Sequence, residues 1–223
     1  VFRALPAKIS SLNYLEARGL SELRESLVQR LASRGINVKP SNILITSGSL
    51  QALQLISVGM LKPGAQVYTE TPTYLKSLQV FQSAGISFTG IAMDKSGLVP
   101  WKIGKVPNGS LLYTIPTYQN PTTLVMTAAR RKEVFDFCSK YRLPILEDDA
   151  YGELHFDEIT PPLPIKALDD SGVVLYTGTI SKTLAPGFRV GWLVGPESVV
   201  NRLADVKMQM DYGASSLSQW ALT

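Results

Sequence analysis

Four short segments carry residue types at spacings that can do chemistry. Ser47-Gly48-Ser49 is a small, glycine-containing turn between an apolar run and a helical pattern. At a helix N-terminus such a turn offers backbone N–H groups and a positive dipole end to an anion, or Ser47 or Ser49 acts as a plain N-cap. Asn120, just before Pro121, sits in an extended loop where its amide can face a ligand or start a turn. Glu147-Asp148-Asp149 places three adjacent carboxylates at the end of an apolar run. Buried together they repel, so a partner is needed. Strand alternation points Asp148 opposite to its two neighbours, toward a cationic ring nitrogen, a magnesium-type ion or solvent. Thr179-Ile180-Ser181-Lys182 carries a lysine among hydroxyls, with Arg189 seven residues on. A lysine desolvated at a strand end has a lowered pKa and becomes a nucleophilic amine for Schiff-base chemistry.

These segments are positioned by alternating elements. Strand-like runs fall at 43–46, 66–70, 86–91, 110–114, 144–147, 173–177 and 190–194. Helical periodicity lies between them. Leu20, Leu23, Leu27 and Leu31 share one face, as do Val134, Phe137, Cys138 and Tyr141. Further helices read over 49–61, 73–84 and 197–210. Seven strands interleaved with helices predict an α/β protein, a three-layer α/β/α domain around a mostly parallel seven-stranded sheet. The runs are near-continuously apolar, as strands covered on both faces should be. Such sheets bind ligands beyond the carboxyl ends of their strands, where all four segments fall. An anion turn, an Asn loop, a strand-end carboxylate and a Lys–Arg pair together describe a pocket for an anionic aromatic cofactor that forms an imine. That chemistry is pyridoxal phosphate's.

Composition narrows the alternatives. The 223 residues are 45% hydrophobic and 18% charged, enough to bury a core. One cysteine, Cys138, rules out an internal disulfide, and one histidine, His155, rules out a multi-histidine metal site. No metal is expected. Apolar runs such as Ile43–Ile45 fall far short of the roughly 20 residues of a membrane helix, so no membrane partner is expected and the location reads as cytoplasmic. The net charge of +4 is scattered, with Arg130-Arg131-Lys132 the one basic run of three, and reads as a solvated surface rather than a nucleic-acid groove. Cys138 reads as core, and His155 as structural or exposed beside a strand-like Glu153–Phe156.

The segments also occur in a familiar order. Ser47-Gly48-Ser49-Leu50-Gln51, Thr71-Pro72-Thr73-Tyr74, Gln119-Asn120-Pro121-Thr122, Asp148-Asp149-Ala150-Tyr151 and the run from Ser181-Lys182 to Gly187-Phe188-Arg189-Val190-Gly191 resemble the class I/II aminotransferases of pyridoxal phosphate fold type I. The resemblance covers roughly residues 14 to 223. In style it is nearest to the aminotransferase-like domain of MocR regulators, which are GntR-type transcription factors with an N-terminal winged helix. It implies that Lys182 holds pyridoxal phosphate as a Schiff base and then moves the proton. Asp148 would pair with the ring nitrogen, Asn120 and Tyr151 would bond the phenolic oxygen, and Tyr74 would stack on the ring. Gly48, Ser49 and Leu50, with Thr179 and Arg189, would hold the phosphate. Tyr14 sits where the family's tyrosine reaches the phosphate of the neighbouring subunit, which implies a homodimer. The reaction implied is amino transfer between an amino acid and a 2-oxo acid. The alternatives are an effector-sensing regulator domain, touching DNA through a separate upstream domain, and another reaction on the same scaffold, such as a lyase.

Three departures stand out. Leu50 replaces a frequent Gln, leaving its backbone N–H to contribute. Thr123 replaces the usual Gly, so a positive φ there would be strained. The chain opens on Val1 and closes on residues that read as mid-helix, so it is expected to be the large cofactor-binding domain, residues 1–223, of a longer polypeptide. Residues 1–15 would then be a linker or inter-subunit arm. The small domain with its substrate-clamping arginine would lie beyond Thr223, and the fragment alone would turn over poorly or not at all.

Overall fold

The structure is a computed structural model and describes residues 13–155 and 160–223. Most of the expected 1–15 arm, and Phe156 of the expected strand, lie outside the described residues. Among the described residues, eight strands form one sheet: β1 (Ile43–Thr46), β2 (Gln66–Thr71), β3 (Ser87–Asp94), β4 (Gly97–Leu98), β5 (Leu111–Thr114), β6 (Ile145–Asp148), β7 (Val174–Thr179) and β8 (Gly191–Val194). Their order is β1-β8-β7-β6-β5-β2-β3-β4. Pairs β7–β6, β6–β5, β5–β2 and β2–β3 are parallel, and β8 runs against both β1 and β7. The sheet is therefore mostly parallel, with eight strands rather than seven. The extra strand, β4, pairs only Leu98 and Gly97 with β3, too short to show a period. β3 also departs from the buried pattern, since six of its eight residues are exposed. Its place near the edge leaves it uncovered, whereas β1, β5, β6, β7 and β8 are buried throughout.

Helices cover both faces. The helices are α1 (Ser21–Ala32), α2 (Ser49–Gly59), α3 (Leu75–Ser83), α4 (Ala128–Tyr141), α5 (Glu197–Asp211) and α6 (Ser216–Trp220). On one face, Leu53 and Ile56 of α2, Phe81 of α3 and Leu203 of α5 pack with Leu44, Tyr113, Leu146, Leu175 and Leu193. On the other, the Leu23–Leu27–Leu31 stripe of α1 packs with Ile43, Ile45, Tyr176 and Trp192. Val134 and Cys138 of α4 pack with Leu112, Ile145 and Val174. Successive strand residues feed opposite faces, as a pleated sheet requires. α4 starts where Thr127 accepts a hydrogen bond from the Arg130 N–H and stops at Arg142 in the left-handed conformation. α6 ends at Trp220, so the last residues are not mid-helix. Glu153 lies in a turn and His155 in an exposed loop, not in a strand.

The basic run is not a solvated surface. Arg130 and Arg131 are buried. Arg130 bridges Asp94 and Glu133, and Arg131 donates to the Met126 and Pro116 carbonyls. Two of the three cations act as internal struts around α4. No described helix is long and apolar enough to cross a membrane.

Candidate active site

Register brings the strand ends together. Thr46 of β1 and Thr179 of β7 both pair with Gly191 of β8, Asp148 of β6 pairs with Thr177, and Thr114 of β5 with Glu147. The loops leaving these ends line one partly open cleft. Gly48, Ser49, Leu50, Tyr74, Asn120, Asp148, Tyr151, Thr179, Lys182 and Arg189 all line it. Ile115, Ala150 and Ser181 complete the lining. Tyr14 is elsewhere. It is 80% exposed and packs its ring 5.7 Å from that of Tyr212, outside the cleft of its own chain.

The turn after β1 is built for close approach. Gly48 is the N-cap of α2 with φ 95, and no side chain caps the helix. The serine N-cap alternative is therefore not what forms, and the leading N–H groups remain for a ligand. A Cβ on Gly48 would stand 2.7 Å from Arg189 Nη2. Arg189, itself left-handed at φ 53, donates to the Ser47 carbonyl at 2.9 Å. A Cβ on Gly191 would stand 2.9 Å from Gly48 Cα, so two glycines let two backbones meet. Thr179 Oγ1 lies 3.0 Å from Ser181 Oγ on the same wall.

The three carboxylates at the end of β6 divide as alternation predicts. Glu147 accepts from the Ile165 and Lys166 N–H groups, each at 2.8 Å, with Arg131 at 3.9 Å. Asp149 pairs with Arg34 at 2.6 Å and accepts from the Tyr176 hydroxyl at 2.9 Å. Asp148 faces the cleft. Its Oδ2 accepts from the Tyr113 hydroxyl at 2.9 Å, and its Oδ1 is buried without a partner. Burial pushes the Asp148 carboxyl up to about 6. The Tyr113 bond opposes that shift and the charge of Asp149 adds to it. A cationic N–H at Oδ1 would complete the group and favour its charged form. A metal is a poorer fit, since no cluster of three or more His, Cys, Asp or Glu forms among the described residues.

Asn120 Nδ2 is 3.4 Å from the Tyr151 hydroxyl, and Lys182 Nζ stands 5.8 Å from the Tyr151 ring centroid. Lys182 is exposed, in a turn three residues past the end of β7. Lys182 is thus not the buried strand-end lysine that the sequence suggests. Thr123 does have a positive φ, 62, as its place in a glycine-favouring position implied.

Several residues that support the cleft act through contacts that the sequence does not show. Tyr113 reaches Asp148 across 35 positions. Glu70 accepts from the Ile115 N–H at 2.9 Å and from the Thr114 hydroxyl. Gln119 Nε2 donates to the Pro72 carbonyl at 2.8 Å. Glu70 and Gln119 tie the Tyr74 loop to the Asn120 loop. Glu70 had a possible signal, a carboxylate closing an apolar run, and Gln119 lies in the Asn120 motif.

Comparison with known proteins bears on family and fold. The family described as Aminotransferase class I and II matches residues 6–223. YisV, an uncharacterized HTH-type transcriptional regulator of Bacillus subtilis (strain 168), is 51% identical over 99% of the chain and 46% of its own length. The HTH-type transcriptional regulator NorG of Staphylococcus aureus is 36% identical over 94% of the chain and 47% of its own. The chain thus spans about half the length of the curated relatives it matches. Among solved structures, an archaeal alanine:glyoxylate aminotransferase is 34% identical with a TM-score of 0.89, over 99% of this chain and 56% of that one. Pyrococcus horikoshii kynurenine aminotransferase, solved with PMP, is 35% identical with a TM-score of 0.89, over 99% of this chain and 57% of that one. On these matches the chain belongs to the class I and II aminotransferase family.

Proposed function

We propose that the cleft binds pyridoxal phosphate and serves amino transfer between an amino acid and a 2-oxo acid. One observation carries the reading: a buried carboxylate oxygen, Asp148 Oδ1, lacks a partner in a cleft that also holds Lys182. The residues present fit the group. Asp148 would accept its ring N–H, and the Gly48–Leu50 turn, Thr179 and Arg189 would hold its phosphate. Asn120 and Tyr151 would donate to its phenolic oxygen, and Tyr74 would cover one ring face. When bound, the group supplies an electron sink for the substrate's α-carbon. Lys182 supplies the amine that retains it, and Lys182 Nζ then takes and returns a proton. Asp148 keeps the ring nitrogen protonated by remaining charged beside it. Tyr14 of a second copy would close the phosphate end, making the working unit a homodimer. The 223 residues would be the cofactor-binding part of a longer chain.

A second reading is favoured by YisV and NorG, which are named as HTH-type regulators. In it the same chemistry senses an amine effector, and DNA is touched by a separate domain. Both readings share one test. Adding pyridoxal phosphate to the full-length protein should give visible absorbance that Lys182→Ala abolishes. An unchanged spectrum in that variant would overturn both. Amine exchange with a 2-oxo acid favours the enzyme; an amino acid that alters DNA binding without turnover favours the sensor.

A further inference from the structure

Ser47 is held from both sides. Its carbonyl accepts from Arg189 Nη2, and its N–H donates to Gln51 Oε1 at 2.8 Å. The other end of the Gln51 amide donates through Nε2 to Asp211 Oδ2 at 2.6 Å, 160 positions away. Asp211 also accepts from Lys207 Nζ, at 2.8 Å on Oδ1 and 2.7 Å on Oδ2, and from the Gly213 N–H at 2.9 Å. Lys207 is fully buried.

Nothing in α5 itself accounts for this pair. Lys before Asp at i, i+4 is the weaker order for a helical ion pair. Asp211 is the last residue of α5, where the helix dipole disfavours a carboxylate. Burying an ammonium costs more than burying an apolar side chain of the same length. Burial lowers the Lys207 pKa, and the bonds to Asp211 oppose that. Burial raises Asp211, but the bonds from Lys207 and Gln51 outweigh it and hold the carboxyl below its ordinary value. A local arrangement that breaks several local rules calls for a reason outside the helix. Among the described residues, the one bond from this pair to a side chain outside α5 goes to Gln51.

Chemistry supplies that reason. A glutamine amide can present either end. A charged carboxylate only accepts, so Asp211 forces Nε2 toward itself and leaves Oε1 for the Ser47 N–H. Ser47 then cannot rotate its peptide, and Gly48 keeps the positive φ that aims the next N–H groups into the cleft. We infer that Lys207 and Asp211, acting through Gln51, are positioning residues that hold the anion-binding turn in its phosphate-receiving conformation. The inference rests on the reading that this turn takes the phosphate of the cofactor.

The test compares two probes in the full-length protein, pyridoxal phosphate and pyridoxal, by equilibrium dialysis. Wild type should bind the phosphorylated probe more tightly. Gln51→Met removes both bonds of the relay without touching a buried charge. It should lose about tenfold in affinity for pyridoxal phosphate, the scale of one well-placed hydrogen bond, and none for pyridoxal. The double variant Lys207→Met with Asp211→Asn should show the same selective loss, because Asn no longer dictates which way Gln51 faces. Equal losses for both probes, or none for either, would overturn the inference and reduce the relay to general packing. Should the double variant fail to fold, Gln51→Met still decides. A wild type with no preference between probes would overturn the phosphate reading of the turn, and the relay with it.

Discussion

Glu70 is a fully buried carboxyl whose donors, Thr114, Ile115 and Thr73, are all neutral. Burial pushes it up to about 7, against the pull of those bonds. The folded protein therefore holds this proton at pH values where the unfolded chain has released it. The stability Glu70 contributes is fully present below its unfolded pKa, near 4.5, and is lost as pH rises through 7. Gln cannot ionise and keeps an acceptor oxygen for the Ile115 N–H. Glu70→Gln should accordingly gain on wild type between pH 5 and pH 8, by about 2–3 kcal/mol, read from urea midpoints at both. A constant difference across that range would mean Glu70 stays charged in the fold. Residues of this kind mark the limit of what the sequence shows. Asp148 is legible because it ends an apolar run and alternates away from two other carboxylates. Tyr113, Gln51 and Asp211 are not, because each matters through a partner 35 or 160 positions distant. Lys182 is legible as a position and misleading as an environment, since its exposure depends on what closes the cleft.

The loop between β5 and α4 presents Asn120 and then turns at Thr123. Thr123 is β-branched with φ 62, a conformation that costs an L-residue about 1–2 kcal/mol. Its hydroxyl recovers little, bonding the adjacent Thr122 carbonyl on an exposed surface. Glycine would relieve the strain while adding about 0.5–1 kcal/mol of unfolded-chain entropy. Thr123→Gly should therefore stabilise by about 0.5–1 kcal/mol, seen as a higher urea midpoint. A lower midpoint would mean the threonine side chain holds the loop. The elements that position the site follow from β-branched runs and leucine stripes, so β1, β5, β6 and β7 fall within a residue or two of where the sequence places them. β4 escapes because two residues are too few to show a period, and α6 is read as helix but ends sooner than the sequence suggests. β3 reads as covered because its composition matches its neighbours, and its edge position is a property of the sheet order alone.

At the scale of the molecule, Tyr14 and Tyr212 form an exposed aromatic pair away from the cleft, 80% and 64% open. Both rings lie open on this chain, and aromatic residues are enriched where protein surfaces meet. If Tyr14 completes the cleft of a second copy, the two sites of a dimer each draw on both chains. Tyr14→Ala and Lys182→Ala should then complement. In a mixed dimer one site carries both defects and the other carries neither. Random pairing of equal amounts makes half the dimers mixed, so about a quarter of all sites become intact. Co-expressed variants should recover that share of visible absorbance, at a pyridoxal phosphate concentration that leaves Tyr14→Ala homodimers empty. No recovery would mean that Tyr14 does not serve a neighbour's site, because a residue acting within its own chain cannot be supplied by a partner.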